Sequence, residues 1–400
     1  MITVDNFNYA GARVLTRVDF NVPLSNDFRI EDDTRITATL PTLKKILDDG
    51  GRLVLMSHLG RPKDGPEEAF SLKHLVSHLS ELLRCKVHFV DDCVGAKAGG
   101  ASENLKDGEV LLLENLRFHP EETAGDIEFA KQLAANGDYY VNDAFGAAHR
   151  EHASTCIIAR FFPAKRAFGY LMASEVANLD RLLQSDEHPF TAIIGGAKVS
   201  DKILVLDEMV QKADYLLIGG AMAYTFIRAW DGKTGSSKVE EDRINLAKDF
   251  LAVAESSDCR LMLPRDSVAA NDFRADADTR ITDSFHIPSG WMGLDIGPEA
   301  RKEYAAIIAK SRLILWNGPM GVFEMEQFRA GTLTIAEAIA DATDDGAYSL
   351  IGGGDSVSAI NRFGLQDRVS YISTGGGAML EYIQGEDLPG VKAILGSHHS

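Results

Sequence analysis

The stretch Ser349-Leu-Ile-Gly-Gly-Gly-Asp-Ser356 and its echo Ile372-Ser-Thr-Gly-Gly-Gly-Ala378 each end a short apolar run in three glycines. Glycine has no Cβ, so a ligand can approach the backbone and meet its N–H groups. A glycine turn that opens a helix attracts anions, because the first N–H groups are unpaired and the helix dipole favours negative charge. Asp355 adds a carboxylate suited to Mg²⁺. Glycines with a carboxylate at one strand tip point to a metal–nucleotide phosphate site, whereas a single glycine run would be an ordinary loop.

The pattern recurs through the C-terminal half. Thr191-Ala-Ile-Ile-Gly-Gly, Tyr215-Leu-Leu-Ile-Gly-Gly, Arg260-Leu-Met-Leu-Pro-Arg-Asp, Leu313-Ile-Leu-Trp-Asn-Gly-Pro and Tyr371-Ile-Ser-Thr-Gly-Gly run from apolar to Gly or polar. Helix-like stretches such as 199–212 and 331–342 lie between several of them. Continuous apolar strands alternating with helices predict a parallel sheet covered on both faces. Ligands then bind beyond the carboxyl ends of the strands. The N-terminal half repeats the plan at Arg13–Pro23, Leu53–Pro62, Val110–Arg117 and Tyr139–Gly146, but its tips carry Asp, Asn, His and Arg. One half is thus suited to a polar anion and the other to a nucleotide. Between them, Leu171, Val176, Leu179, Leu182 and Leu183 follow helical spacing, predicting a connecting helix before Gln184-Ser-Asp-Glu-His-Pro189.

The chain has 400 residues, enough for about two domains. Its net charge of −18 argues against nucleic acid as partner and means that an anionic substrate needs a local basic patch. No apolar run reaches a membrane span, and the N-terminus lacks the features of a secretory signal. Cys85, Cys93, Cys156 and Cys259 form no C-x-x-C pair and are expected to be reduced, buried and cytoplasmic.

Arg35, Arg61, Arg117 and Arg150 lie at or just after predicted strand tips, with Asp19, Asn21 and His58 on neighbouring tips. Guanidinium groups fork onto carboxylate and phosphate oxygens, so several converging would hold a small, multiply charged anion. Taken singly, each arginine reads as a solvated surface group. Gly195-Gly-Ala-Lys-Val-Ser-Asp-Lys202 places Lys198 and Lys202 four apart after a glycine turn, predicting one helix face that reaches phosphate. Other signals fail. Gly232-Lys-Thr234 lacks the first P-loop glycine, since Ile227 stands there, and no G-x-G-x-x-G occurs. His74 and His78 have zincin spacing with Leu75 where a Glu is needed. These features alone also permit another two-domain α/β kinase, a nucleotide-dependent ligase acting on a small carboxylate, or an inactive nucleotide-binding module.

An ordered set of segments resembles the phosphoglycerate kinase family. It comprises Arg17-Val-Asp-Phe-Asn-Val-Pro23, Ser57-His-Leu-Gly-Arg-Pro62, Glu114-Asn-Leu-Arg-Phe118, Asn142-Asp-Ala-Phe-Gly146, 195–202, Leu294-Asp-Ile-Gly-Pro298, 316–324, Gly352-Gly-Gly-Asp-Ser356 and Ser373–Ala378. Ala147 departs from the pattern, which has Thr before Ala148-His149-Arg150. The resemblance implies two doubly wound, parallel-sheet (Rossmann-like) α/β domains around a central cleft, joined by a helix. Their bounds would be 1–170, with a tail 378–400 returning to it, a helix at 171–185, and 186–377. It implies reversible Mg²⁺-dependent phosphoryl transfer between 1,3-bisphosphoglycerate and ADP, giving 3-phosphoglycerate and ATP, in a monomeric hinge-bending enzyme. Asp19, Asn21, Arg35, His58, Arg61, Arg117 and Arg150 would hold phosphoglycerate. Lys198, Lys202, Gly293, Asn317, Glu324, Gly353, Gly354, Asp355 and Ser356 would hold the nucleotide, with Asp355 toward Mg²⁺ and Glu324 toward the ribose. Arg35, Lys198, Lys202 and the N–H groups of Gly375, Gly376 and Gly377 would stabilise charge on the moving group.

Overall fold

A computed structural model describes residues 1–63 and 65–396. The chain packs as two units, Met1–Ala177 with Gly385–Ser400, and Asn178–Gln384. Helix Tyr170–Gln184 ends the first stretch and begins the second.

The first unit is built on six strands, β1 (Arg13–Val18), β2 (Arg52–Met56), β3 (Val87–Val90), β4 (Val110–Leu113), β5 (Tyr139–Asp143) and β6 (Arg166–Phe168). They lie in the order β3-β4-β2-β1-β5-β6, every pair parallel. Helix Thr34–Asp48 buries Ile36, Leu40, Leu43 and Ile46, positions that share one face at 3.6 residues per turn. They pack with Val14, Val18, Leu53, Leu55, Val110, Leu112 and Val141 of the strands. With both faces covered, the strands carry near-continuous apolar runs and polar residues collect at their ends.

In the second unit the strands are β7 (Phe190–Ile194), β8 (Tyr215–Ile218), β9 (Lys233–Thr234), β10 (Arg260–Met262), β11 (Asp266–Ala270), β12 (Thr279–Asp283), β13 (His286–Ile287), β14 (Met292–Ile296), β15 (Leu313–Asn317), β16 (Tyr348–Gly352) and β17 (Tyr371–Ile372). The main sheet runs β10-β8-β7-β15-β16-β17, again parallel. Counted within this sheet, that is the 3-2-1-4-5-6 order of doubly wound nucleotide-binding folds, whose switch point lies between β7 and β15. The order arises without the G-x-G-x-x-G fingerprint. Its core joins Ile193, Ile314, Trp316 and Ile351 to Tyr304, Ile335 and Ile339 of the covering helices. An antiparallel satellite sheet, β12-β11-β14, and a short parallel pair, β13-β9, complete the unit. Helix Gly377–Ile383 packs on helix Ile203–Lys212, and the chain rejoins the first unit from Gly385. Among the described residues no helix is long and apolar enough to cross a membrane.

The four cysteines are free; Cys93 and Cys259 are buried, but Cys85 and Cys156 are only half-buried. His74 accepts or donates at the Glu68 carbonyl (2.8 Å) and stacks on Phe28, whereas His78 pairs with Asp33 at 2.9 Å. The zincin spacing therefore serves local packing.

At the end of β5, Asp143 is fully buried against the start of helix Tyr170–Gln184, where its Oδ1 accepts the Met172 N–H at 3.1 Å. Its Oδ2 has no partner among the described residues. Burial pushes this carboxyl up to about 7, against the pull of the Thr42 hydroxyl and the Met172 and Leu171 N–H groups. A folded-state pKa above the unfolded one means that the folded chain binds the extra proton, so stability falls as pH rises from about 4 to 7. Asparagine keeps the acceptor and cannot ionise. Urea titrations should show Asp143→Asn gaining about 2 kcal/mol on the parent between pH 5 and pH 8. Parallel pH profiles for the two proteins would show that Asp143 ionises normally.

Candidate active site

In the first unit the strand tips converge on a buried guanidinium. Arg17 is only 1% exposed. Its Nε donates to Ser154 Oγ at 2.9 Å, Nη1 donates to the Val18 carbonyl, and Nη2 lies 3.1 Å from His58 Nδ1. Arginine can only donate, so His58 Nδ1 accepts and its proton sits on Nε2. Ser154 passes the charge outward through its hydroxyl (2.6 Å) and N–H (3.0 Å) to Glu122, itself fully buried. Burial raises the Glu122 carboxyl, while Arg17, the Ser154 bonds and Arg117 pull it back. His58 is held well below its usual pKa by burial, then by Arg17, Arg117 and Arg35. His152 falls to about 4 by burial and the same kind of cationic neighbourhood, Arg17, Arg117 and Arg150. Both imidazoles are therefore neutral near pH 7, and the excess charge there is guanidinium.

Around this centre, Arg35 donates to Asp19 Oδ2 (3.0 Å) and to the Asn21 carbonyl (3.3 Å). Asn21 Oδ1 accepts the Gly60 N–H at 2.8 Å, and Arg117 donates to the Gly60 carbonyl at 2.8 Å. The Ser57 hydroxyl accepts the Phe20 N–H at 2.8 Å, tying the tips of β1 and β2. Glu114 accepts from the Ser71 hydroxyl and the Leu72 N–H at 2.6 and 2.8 Å, and Asn115 donates to the Leu59 and Phe70 carbonyls at 2.7 and 2.8 Å. These two buried polar residues pin the loop that carries Arg61 and the turn that carries Arg117. Arg61, Arg117, Arg150 and His152 line a cavity of about 620 Å³. Burial lowers the Arg117 pKa, with Arg17 and Arg61 adding to the shift. That like-charge pressure is what a bound anion relieves.

The second unit presents glycine turns at the switch point. A Cβ on Gly195 would strike the Pro319 carbonyl, and one on Gly318 the Gly195 carbonyl, so β7 and β15 end backbone against backbone. Gly353, at φ +89°, caps helix Gly354–Arg362, whose first turn carries exposed Asp355. Asn317 donates to the Gly352 carbonyl at 2.8 Å and accepts from Lys202 Nζ. Burial lowers the Lys202 pKa against the pull of Asp201 and Asp355. A separate cavity of about 340 Å³ is lined by Gly196, Gly293, Met292, Leu294, Val322, Glu324 and Asp355 among others. Gly293 has no room for a side chain, because the Tyr224 hydroxyl occupies the space.

Some expectations change. The helix after β7 starts at Ile203, so Lys198 and Lys202 precede it and do not share a helical face. Ser200 holds that segment out of helix by bonding Glu240 through its hydroxyl at 2.6 Å. Exposed Lys198 lies near enough to Glu240 to lower that carboxyl's pKa. The Ser356 side chain is buried and accepts the Gly318 N–H at 2.6 Å, so it ties the turn after β15 to helix Gly354–Arg362. The Gly375 N–H donates to Ser373 Oγ at 3.1 Å, leaving Gly376 and Gly377 at the helix start. Arg17, Glu122, His152, Glu114 and Asn115 were not singled out from the sequence as site residues. Arg17 and Asp19 stand two apart on β1 and its exit, a shared strand face with two charges, which was the available signal.

A family model described as phosphoglycerate kinase matches residues 4–386. The chain is 48% identical over 419 residues to phosphoglycerate kinase of Porphyromonas gingivalis, covering 99% of this chain and 100% of the relative. It is 50% identical over 392 residues to that of Chlorobium limicola, with 98% of each covered. The structure of phosphoglycerate kinase from Coxiella burnetii superposes with a TM-score of 0.89 at 38% identity, covering 98% of both chains. The one from Pyrococcus horikoshii gives 0.85 at 34% identity, covering 99% of this chain and 98% of that one. With the strand-tip geometry and near-full-length agreement together, the chain belongs to the phosphoglycerate kinase family.

Proposed function

We propose that this chain transfers a phosphoryl group reversibly between 1,3-bisphosphoglycerate and ADP, with the arginine cluster of the first unit holding the phosphoglycerate. The observation that carries this reading is the cluster itself. Its guanidinium groups crowd around neutral histidines, and burial with the charges of Arg17 and Arg61 lowers the Arg117 pKa, which favours a small polyanion. Arg61, Arg117 and Arg150 grip the distal phosphate, and Asn21 and His58 take the glycerate oxygens. Arg35, turned by Asp19 and Asn21, serves the carboxyl end where phosphoryl transfer occurs.

In the second unit the apolar lining, Met292, Leu294 and Val322, suits a nucleotide base, with Glu324 for the ribose. The Gly353–Ser356 helix start, Lys198 and Lys202 suit the phosphates. Mg²⁺ fits beside Asp355, an exposed carboxylate at that helix start. A hard cation takes one or two carboxylates and completes its shell with phosphate and water. When bound it would neutralise charge on the nucleotide phosphates. The attacking oxygen already belongs to an ADP phosphate or a carboxylate, so no general base is needed, and positioning and charge stabilisation carry the rate. A monomeric enzyme and a cytoplasmic location complete the reading; four free cysteines suit a reducing compartment. A coupled assay of ATP-dependent phosphorylation of 3-phosphoglycerate tests the whole assignment, and absence of turnover with Mg²⁺ present would overturn it.

Arg35→Ala should lower kcat on the order of 10³-fold with a modest change in 3-phosphoglycerate affinity, because its contact strengthens in the transition state. Lysine should rescue poorly, since it keeps the charge but loses the planar fork. A raised KM at unchanged kcat would make Arg35 a ground-state clamp instead.

Asp355→Asn should weaken the use of Mg-nucleotide and leave 3-phosphoglycerate binding intact. Calorimetry that finds parental MgADP affinity, together with parental turnover, would remove Asp355 from the metal role.

A further inference from the structure

Beside the arginine cluster of the first unit, the loop after β3 and the segment before helix Pro120–Ala124 bring three unlike donors together. They are the Asp92 carboxylate, the Cys93 thiol and the His119 imidazole, whose ligand atoms all lie within 4.8 Å of one another. Asp92 Oδ1 is fixed by the Cys93 and Val94 N–H groups at 2.7 and 3.3 Å and lies 2.9 Å from His119 Nε2. The imidazole leans on Phe129, with centroids 5.2 Å apart. Cys93 is 1% exposed, whereas Asp92 and His119 are half-exposed. The donors thus form a shallow cup with sulfur at its floor and two ligands at its rim.

We propose that Asp92, Cys93 and His119 bind one thiophilic divalent cation, Zn²⁺ by ligand class, at a site separate from the Mg²⁺ that accompanies the nucleotide. Sulfur, nitrogen and oxygen donors together suit Zn²⁺, whereas Mg²⁺ takes oxygen ligands. At ordinary Zn–S, Zn–N and Zn–O lengths, a tetrahedral ion holds its donors roughly 3.5 Å apart. The three groups need to close by little more than about 1 Å, and the half-exposed rim leaves the fourth position to water. Binding releases the Cys93 proton to solvent; the His119 Nε2–H···Asp92 Oδ1 hydrogen bond opens, the imidazole proton moves to Nδ1 through solvent, and the ion takes the freed Nε2 lone pair. Burial and the carboxylates of Asp92, Glu122 and Glu114 disfavour a bare thiolate here. The same negative surroundings favour a cation, which inverts the balance once it arrives.

The test uses the full chain and Co²⁺ as the spectroscopic stand-in for Zn²⁺. One equivalent should give a near-ultraviolet thiolate-to-metal charge-transfer band that Zn²⁺ displaces. The band should persist when Cys85, Cys156 and Cys259 are all replaced by serine, and vanish in Cys93→Ser. His119→Gln, at a half-exposed position that a folded chain tolerates, should weaken binding about tenfold or more. Circular dichroism and thermal unfolding establish that each variant is folded. No band in the parent, a band that survives Cys93→Ser, or parental affinity in folded His119→Gln would overturn the proposal.

Discussion

A parallel sheet sheathed by helices on both faces leaves polar chemistry one place to go, the carboxyl edge of its strands. Both units obey that constraint and fill the edge in opposite ways. In the first, charged side chains are drawn inward and must be satisfied at close quarters: Arg17 by Ser154, His58 and a carbonyl, and Glu122 by Ser154. In the second, side chains are cleared away, and Gly195 and Gly318 let backbone meet backbone at the switch point. Side-chain charge suits a small acid; bare backbone and a helix start suit a chain of phosphates.

Burial sets the charge state at the centre of the arginine cluster. Burial of the neighbouring imidazoles, reinforced by the charge of an Arg17 that cannot turn to solvent, keeps them neutral. Arg61 and Arg150 stand exposed at the rim, while Arg117 is tethered by Gly60. A fixed centre with exposed outer arms can meet an anion with its inner groups already oriented. On a chain of net charge −18, that local concentration of guanidinium also supplies the attraction the whole molecule lacks.

Much of this was legible in the sequence. Ser349–Gly353 and its five companions are the six strands of the second main sheet, because central parallel strands must be apolar on both faces. In the first unit, β1, β2, β4 and β5 were legible for the same reason. The strands that escaped are short or peripheral. Val87-His-Phe-Val90 is a half-covered edge, Arg166–Phe168 has only three residues, and the small side chains of Asp266–Ala270 give no apolar run. Of the site, residues at strand tips were visible as types, and the family resemblance supplied their grouping. Relations across the fold were not visible. That Arg17 meets Ser154, 137 positions away, or that Glu114 pins Ser71, depends on strand order, which no local spacing encodes.

Strand β6 closes the first sheet, and both ends of the chain come to it. Thr3 bridges Phe168, the Phe168 N–H donates to the Ile2 carbonyl at 3.0 Å, and Arg166 Nε donates to the Ile394 carbonyl at 3.3 Å. Gly390 N–H also reaches the Ala148 carbonyl at 2.8 Å. An otherwise open edge, prone to pairing with other chains, is thereby covered. Order of synthesis and order of completion consequently diverge. The ribosome begins the first unit first, yet that unit lacks the segment from Gly385 until after the second unit, Asn178–Gln384, has been made in full.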